Sequence, residues 1–356
     1  MTPLAALLVR RIAATGPMRL ADYMAECLLH PDHGYYTRAE PFGAQGDFIT
    51  APEISQMFGE LLGLWLAQCW LDQGAPGAFT LAELGPGRGT LMADVLRATR
   101  GVPGFHAAAR VVLVEASPRL RAVQRDRLAG HAVDWADTVD DLPAAPLFLL
   151  ANEFFDALPV RQFTRAGDAW AETMVTVQDG ALALARGAPL ALGALAQRLA
   201  DTKDGDVVEW CPAATPIAAS IAARIARHGG AALIVDYGGW HGTGDTVQAL
   251  RAHAFAGLLS TPGQADITAH VDFEPLAQAA TAAGARAHGP APQGALLERL
   301  GIQTRAARLA QGLTGAQVQG LIAATRRLTH PDEMGTLFKA LAILPATAPP
   351  PAGFAP

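Results

Sequence analysis

Residues 79–91 read Phe-Thr-Leu-Ala-Glu-Leu-Gly-Pro-Gly-Arg-Gly-Thr-Leu, and this stretch decides the fold. A short apolar run ends at Glu83, a Gly-x-Gly-x-Gly turn follows at Gly85, Gly87 and Gly89, and a helical pattern begins at Thr90. Strand, glycine turn and helix in that order make a nucleotide-type loop, because glycines let the backbone pass close to a ligand at the head of a helix. Two details narrow the ligand. The dinucleotide fingerprint needs its third glycine one residue later, where this chain has Thr90. A carboxylate just before the first glycine is also placed for a ligand ammonium group rather than a pyrophosphate. Both details favour S-adenosylmethionine (SAM) over NAD.

The other half of such a site belongs one strand further on. Residues 109–117, Ala-Arg-Val-Val-Leu-Val-Glu-Ala-Ser, form a continuous apolar run ending at Glu115, as a buried parallel strand does. An acid there can accept hydrogen bonds from both ribose hydroxyls. The competing reading has Glu115 capping the helix that starts near Pro118. After the next strand, Trp135 and Asp137 are candidates for stacking on adenine and for binding its exocyclic amine. They read equally well as a core tryptophan and a loop acid.

Around this nucleus the pattern alternates as in a doubly wound sheet. Helical periodicity covers 2–15, 20–29 and 54–71, and strands are predicted at 79–84, 110–116, 132–136, 147–152 and 231–235. Sixth and seventh strands are predicted at 245–253 and 337–344. Residues 160–186 break the alternation as a β-meander, with turn signals at Ala166-Gly167-Asp168 and Asp179-Gly180. The expected architecture is an α/β class I methyltransferase fold, Rossmann-like, with a seven-stranded doubly wound sheet. An N-terminal helical segment with a cofactor lid takes 1–75 and the SAM-binding domain 76–345. That domain carries inserted β-meander and helical lobes at about 160–215 and 253–330, and a flexible tail spans 346–356.

Composition sets the outer bounds. A chain of 356 residues can bury one large core, or one core with a satellite lobe. A net charge of −6 argues against a nucleic-acid partner held through phosphates. The apolar stretch 57–71 is interrupted by Glu60 and Gln68 and is too short for membrane insertion. Cys27, Cys69 and Cys211 are far apart, form no metal-ligand spacing and suit a reducing compartment. No metal is expected: His30, His33 and His330 sit beside Pro-Asp pairs that read as turns.

The predicted fourth strand runs into Asn152-Glu153-Phe154-Phe155-Asp156-Ala157-Leu158-Pro159. Methyl transfer from a sulfonium asks the protein mainly for orientation and electrostatics. Polar acceptors there can orient a nitrogen nucleophile while Phe154 and Phe155 exclude water. Glu153 and Asp156, with Asn152, form the candidate catalytic set. Their two carboxylates suit a cationic acceptor such as a guanidinium, which stays charged and offers planar donors. The plainer reading has these acids only holding the loop.

These blocks, with others in the same order, are ones we recognise. Gly34-Tyr35-Tyr36, Gly46-Asp47-Phe48-Ile49-Thr50-Ala51-Pro52-Glu53-Ile54-Ser55, Phe58-Gly59-Glu60, Glu83 to Gly89, Val114-Glu115, Asn152 to Pro159, Asp236-Tyr237-Gly238 and Ala265 to Phe273 resemble the MidA-type methyltransferases. That family includes a mitochondrial complex I assembly factor that modifies a subunit arginine. The resemblance implies a SAM-dependent protein arginine methyltransferase whose substrate is a respiratory complex I subunit. It implies cofactor binding by Glu83, Gly85, Gly87, Gly89, Thr90 and Glu115, with Asp47, Phe48 and Thr50 in a lid over SAM. On the acceptor side it suggests Phe154, Phe155, Tyr36, His270 and Asp272, although His270 reads equally as a structural histidine. The blocks begin almost at once, without the long presequence of mitochondrial members, so a bacterial cytoplasmic location is expected; a homodimer is left open. Three other functions compete: a nicotinamide oxidoreductase, a small-molecule amine methyltransferase, and a SAM-binding assembly chaperone without turnover.

Overall fold

The computed structural model describes residues 1–38 and 50–354 and divides them into two compact units. Unit two, 49–155, 215–240 and 271–356, holds the glycine loop. Its sheet is built from β1 (Phe79–Leu84), β2 (Ala109–Val114), β3 (Val133–Ala136), β4 (Leu147–Asn152), β5 (Gly230–Gly239), β6 (Ala285–Pro292) and β7 (Phe338–Pro345). They lie in the order β3-β2-β1-β4-β5-β7-β6, with Val271–Asp272 adding a short strand beside the end of β5. The strands β3, β2, β1, β4 and β5 are mutually parallel, whereas β7 runs antiparallel to both β5 and β6. This is the class I methyltransferase order, in which β1 and β4 are neighbours at the switch point. Every residue of β1 and of β4 is buried, because layers cover both faces of a parallel sheet.

The helix Gln56–Asp72 is apolar nearly all round and packs into the same core. Rings of Trp70, Phe79, Phe105 and Phe148 meet there, with Phe79 and Phe105 centroids 4.9 Å apart. Buried in the same helix, Glu60 takes Arg97 at 2.7 Å and Arg305 at 2.7 Å, so its charge is matched on two sides.

Unit one comprises 1–48, 156–214 and 241–270. The meander Arg161–Ala166, Ala169–Gln178, Ala181–Arg186 forms a five-stranded sheet with Met18–Arg19 and Val207–Trp210. Asp179 (φ +52°) and Gly180 (φ +77°) make one of its turns, as a tight hairpin requires. The helices Pro3–Thr15 and Leu20–Leu29 pack Leu4, Leu8 and Tyr23 against Val175 and Ile267 in a separate core.

Four expectations are corrected. The N-terminal segment does not stand as a single piece to residue 75: 1–48 belongs with the meander, and the helix Gln56–Asp72 belongs with the sheet. The helical stretch 271–330 is part of the sheet-bearing unit, and only 241–270 joins the lobe. The predicted strand at 245–253 is a hairpin arm, Gln248–Arg251, turning through Ala252 and His253 (φ +49° and +61°) into Ala254–Ala256 of a three-stranded sheet. The sixth strand of the large sheet is β6 instead. Finally, the tail is docked rather than flexible: Trp65 donates to Ala352 O at 2.9 Å, Arg299 to Gly353 O at 2.9 Å, and Phe354 is buried against Trp65.

Replacing Phe354 by Ala is therefore expected to cost about 3 kcal/mol, the scale of removing a buried aromatic ring. Urea unfolding of the variant checks this, since a frayed tail would leave the midpoint unchanged.

Candidate active site

The glycine loop leaves β1 with Gly85, Gly87 and Gly89 at φ +58°, +53° and +76°, the left-handed region that a side chain disfavours. At Gly85 the constraint is also steric: a Cβ there would stand 2.9 Å from Cδ2 of Phe154. Gly89 is the N-cap of the helix Thr90–Thr99, which therefore starts without a side-chain cap.

Glu83 is buried at the end of β1, and its Oε2 has no hydrogen-bond partner among the described residues. Burial pushes its carboxyl up to about 8; a backbone N–H from Met92 opposes the shift, and Glu115 adds to it. A buried carboxyl with an unused oxygen below a glycine cradle fits the ammonium of SAM, which would favour the ionised form.

Glu115, at the end of β2, accepts from Ser117 N at 2.8 Å and from Gln124 Nε2 at 3.1 Å. Its carboxyl too is raised, by burial first, and its hydrogen bonds pull the other way. Ser117, not Glu115, is the N-cap of the helix Pro118–Arg127. Glu115 instead holds the turn ahead of that helix through Ser117 N, and its place just after the strand fits a ribose diol.

Gln124 is fully buried and joins three parts of the site. Its Nε2 donates to Gly87 O at 2.9 Å as well as to Glu115, and its Oε1 accepts from Trp135 Nε1 at 2.8 Å. Trp135 thus braces the loop from below, with the Arg125 guanidinium 5.0 Å from its ring centre. Asp137 points largely into solvent and pairs with Arg121 at 2.5 Å.

At the end of β4, Glu153 holds φ +49°, unusual for a residue with a side chain and costing roughly 1–2 kcal/mol. Its backbone N donates to Val235 O at 2.9 Å, and its Oε1 accepts from Ala51 N and Asn152 Nδ2, both at 3.1 Å. Asn152 is buried, and its Oδ1 has no partner among the described residues. Asp236, wholly buried at the end of β5, accepts from Phe154 N at 3.2 Å and Phe155 N at 2.9 Å. It fixes the turn that carries both rings, which lie edge to face with centroids 5.3 Å apart.

Asp156 begins the part of the chain belonging to unit one. There it is buried, and its backbone carbonyl accepts from Ala269 N at 3.0 Å. Tyr36, in the same unit, donates its hydroxyl to Asp266 Oδ1 at 2.8 Å. Its phenol is held well above the ordinary range by burial, then by the charges of Asp266 and Asp156. His270 is exposed in unit one, its backbone N donating to Thr246 Oγ1, whereas Asp272 lies in unit two at the start of the helix Phe273–Ala282. Thr50 occupies the N-cap position of Ala51–Ile54 without a side-chain cap bond. Asp47 and Phe48 lie outside the described residues.

Glu53, Gln124 and Asp266 carry structural weight that their residue types alone do not reveal, and Asp236 holds the β4 loop. Glu53 and Asp266 sat inside the recognised blocks, and Asp236 at a strand end. Only Gln124 gave no signal. His30 and His330 use Nδ1 as turn acceptors, toward Asp32 N and Asp332 N. Among the described residues no group of three or more His, Cys, Asp or Glu could hold a metal, and no helix is long and apolar enough to cross a membrane.

Because the Glu83 carboxyl is raised from 4.5 to about 8, the folded chain keeps a proton that the unfolded chain releases. That contribution to stability is complete below about pH 4.5 and is lost as the pH rises through about 8. The ligand-free protein should lose more stability across this window than Glu83→Gln does, as read by urea midpoints at a series of pH values. The same variant should bind S-adenosyl-homocysteine about 10- to 100-fold more weakly, the scale of one hydrogen bond to a charged group.

The family described as S-adenosyl-L-methionine-dependent methyltransferase matches residues 61–291. The mitochondrial protein arginine methyltransferase NDUFAF7 of Homo sapiens is 38% identical, covering 97% of this chain and 84% of that protein. Its counterpart in Xenopus tropicalis is 36% identical, covering 98% and 88%. Among solved structures, one from Burkholderia thailandensis bound to S-adenosyl-homocysteine superposes with a TM-score of 0.84 at 31% identity, covering 98% of this chain and 93% of that one.

Proposed function

Because the chain belongs to the MidA-type family of SAM-dependent methyltransferases, we propose that it methylates an arginine side chain of a protein, a respiratory complex I subunit, in support of that complex's assembly. The observation that carries this reading is the end of β4, where Asn152 and Glu153 present a buried amide oxygen and a carboxylate beside two aromatic rings.

When bound, SAM supplies an electrophilic methyl on its sulfonium. Glu83 and Glu115 would hold its ammonium and ribose, and the glycines leave room for its backbone-facing edge. For the acceptor, a guanidinium stays protonated at any working pH and offers a fork of N–H donors. Glu153 would answer its charge, and Asn152 Oδ1 would accept one N–H, turning a terminal nitrogen toward the donor. Phe154 and Phe155 exclude water, which strengthens both contacts. Asp156 and Tyr36, in unit one, are assigned to the client side, and the relatives named as arginine methyltransferases support this class of acceptor. The three cysteines are free thiols, consistent with the reducing bacterial cytoplasm that we infer as its compartment.

Glu153→Gln keeps the size of the side chain and an acceptor for Ala51 N while removing the charge. Methyl transfer to an arginine peptide from the client should fall about 100-fold, with affinity for S-adenosyl-homocysteine nearly unchanged. Asp156→Asn is tested separately in the same assay. Full activity of Glu153→Gln would point to a neutral amine acceptor. Normal complex I assembly with an unmethylated client would overturn the enzymatic reading.

A further inference from the structure

We propose that Glu53 is a positioning residue for the cofactor loop, acting on the SAM site through Thr90 and Arg88 rather than by touching SAM. Glu53 belongs to the short helix Ala51–Ile54, and its side chain is largely buried. Its Oε1 accepts from Thr90 Oγ1 at 2.5 Å, and its Oε2 lies 3.8 Å from Arg88 Nη1. The two residues it grips flank Gly89, whose φ of +76° makes the turn into the helix Thr90–Thr99. A glycine N-cap allows that turn but offers no side chain to hold it. The restraint therefore comes from outside the loop, from a carboxylate at a helix N-terminus, where negative charge is favoured.

The same short helix is tied at its other end. Ala51 N donates to Glu153 Oε1 at 3.1 Å, and Ser55 caps the following helix through Met57 N at 3.2 Å. Residues 51–54 thus form a strut between the loop after β1 and the loop after β4. Glu53 anchors it on the cofactor side and Glu153 on the acceptor side. A loop already held in shape loses less freedom when a ligand arrives, so the anchor raises affinity without contacting the ligand.

The inference rests on SAM binding by the glycine loop and is independent of the acceptor's identity. Its test is calorimetric titration of the full chain with S-adenosyl-homocysteine, alongside melting temperatures of the ligand-free variants. Glu53→Ala and Thr90→Val are each expected to weaken binding about 10-fold or more. The double variant should bind no more weakly than the worse single one, because both substitutions remove the same contact. Glu53→Gln, which still accepts the Thr90 hydroxyl, should recover most of the affinity. With SAM varied, KM should rise more than kcat falls. Two results overturn the proposal: Glu53→Ala with a lowered melting temperature and unchanged affinity, or strictly additive losses in the double variant. Binding by the unaltered protein in the same titration separates either result from a failure of the cofactor reading.

Discussion

The loops after β1 and β4 compete for one small volume, and the way they share it sets how each is built. With β1 and β4 paired in parallel, Leu84 stands opposite Ala151, so Gly85 and Phe154 leave neighbouring strands within a few residues of each other. The edge of the Phe154 ring comes within 2.9 Å of where a Cβ on Gly85 would stand. The missing side chain at Gly85 therefore serves the loop after β4 as well as the glycine turn. The β5 strand completes the arrangement: Val235 pairs with Asn152, and the next residue, Asp236, reaches across to two backbone N–H groups of the β4 loop. Three adjacent strand ends thus place the glycine turn, a pair of aromatic rings and the acid that holds them.

Around this point the buried charges divide into two kinds. Glu115, Glu60 and Asp236 meet fixed donors in the protein on both sides of the carboxylate or at a backbone turn. Glu83 has a backbone N–H near one oxygen and nothing among the described residues on the other, and its carboxyl rises accordingly. A cationic ligand group reverses that imbalance. Binding of such a group at this position would be linked to release of a proton from Glu83.

Much of this was legible in the sequence. Strands 79–84 and 147–152 show as largely apolar runs because both faces are buried, and the glycine turn directly follows the first of them. What escaped depends on contacts remote in sequence or on weak local signals. β6 reads Ala-Arg-Ala-His-Gly-Pro-Ala-Pro; it has no β-branched or aromatic residue, and its pairing with β7 shifts register between His288 and Ala291. Such a strand is tolerated at a sheet edge, where a proline and a bulge do little harm. The tail looked frayed because its composition is poor in contacts, yet Trp65 reaches it from 287 residues away. Gln124 lies in a polar helix of low hydropathy, and nothing local marks it as the residue that joins Gly87, Glu115 and Trp135.

The route of the chain passes back and forth between the two units. Unit one is assembled from three pieces, and two of them depart from the sheet after β4 and after β5, at residues 156 and 241. Those are carboxyl ends of parallel strands, the edge where open α/β sheets bind ligands. Loops there can lengthen without disturbing the paired strands, since added loop residues cost little closure entropy. Unit one has its own core and its own Tyr36–Asp266 hydrogen bond, near Asp156. Asp156 is the residue at which the chain passes from unit two into unit one after β4. It follows Phe155 directly, so the boundary between the units falls within one peptide bond of the two aromatic rings.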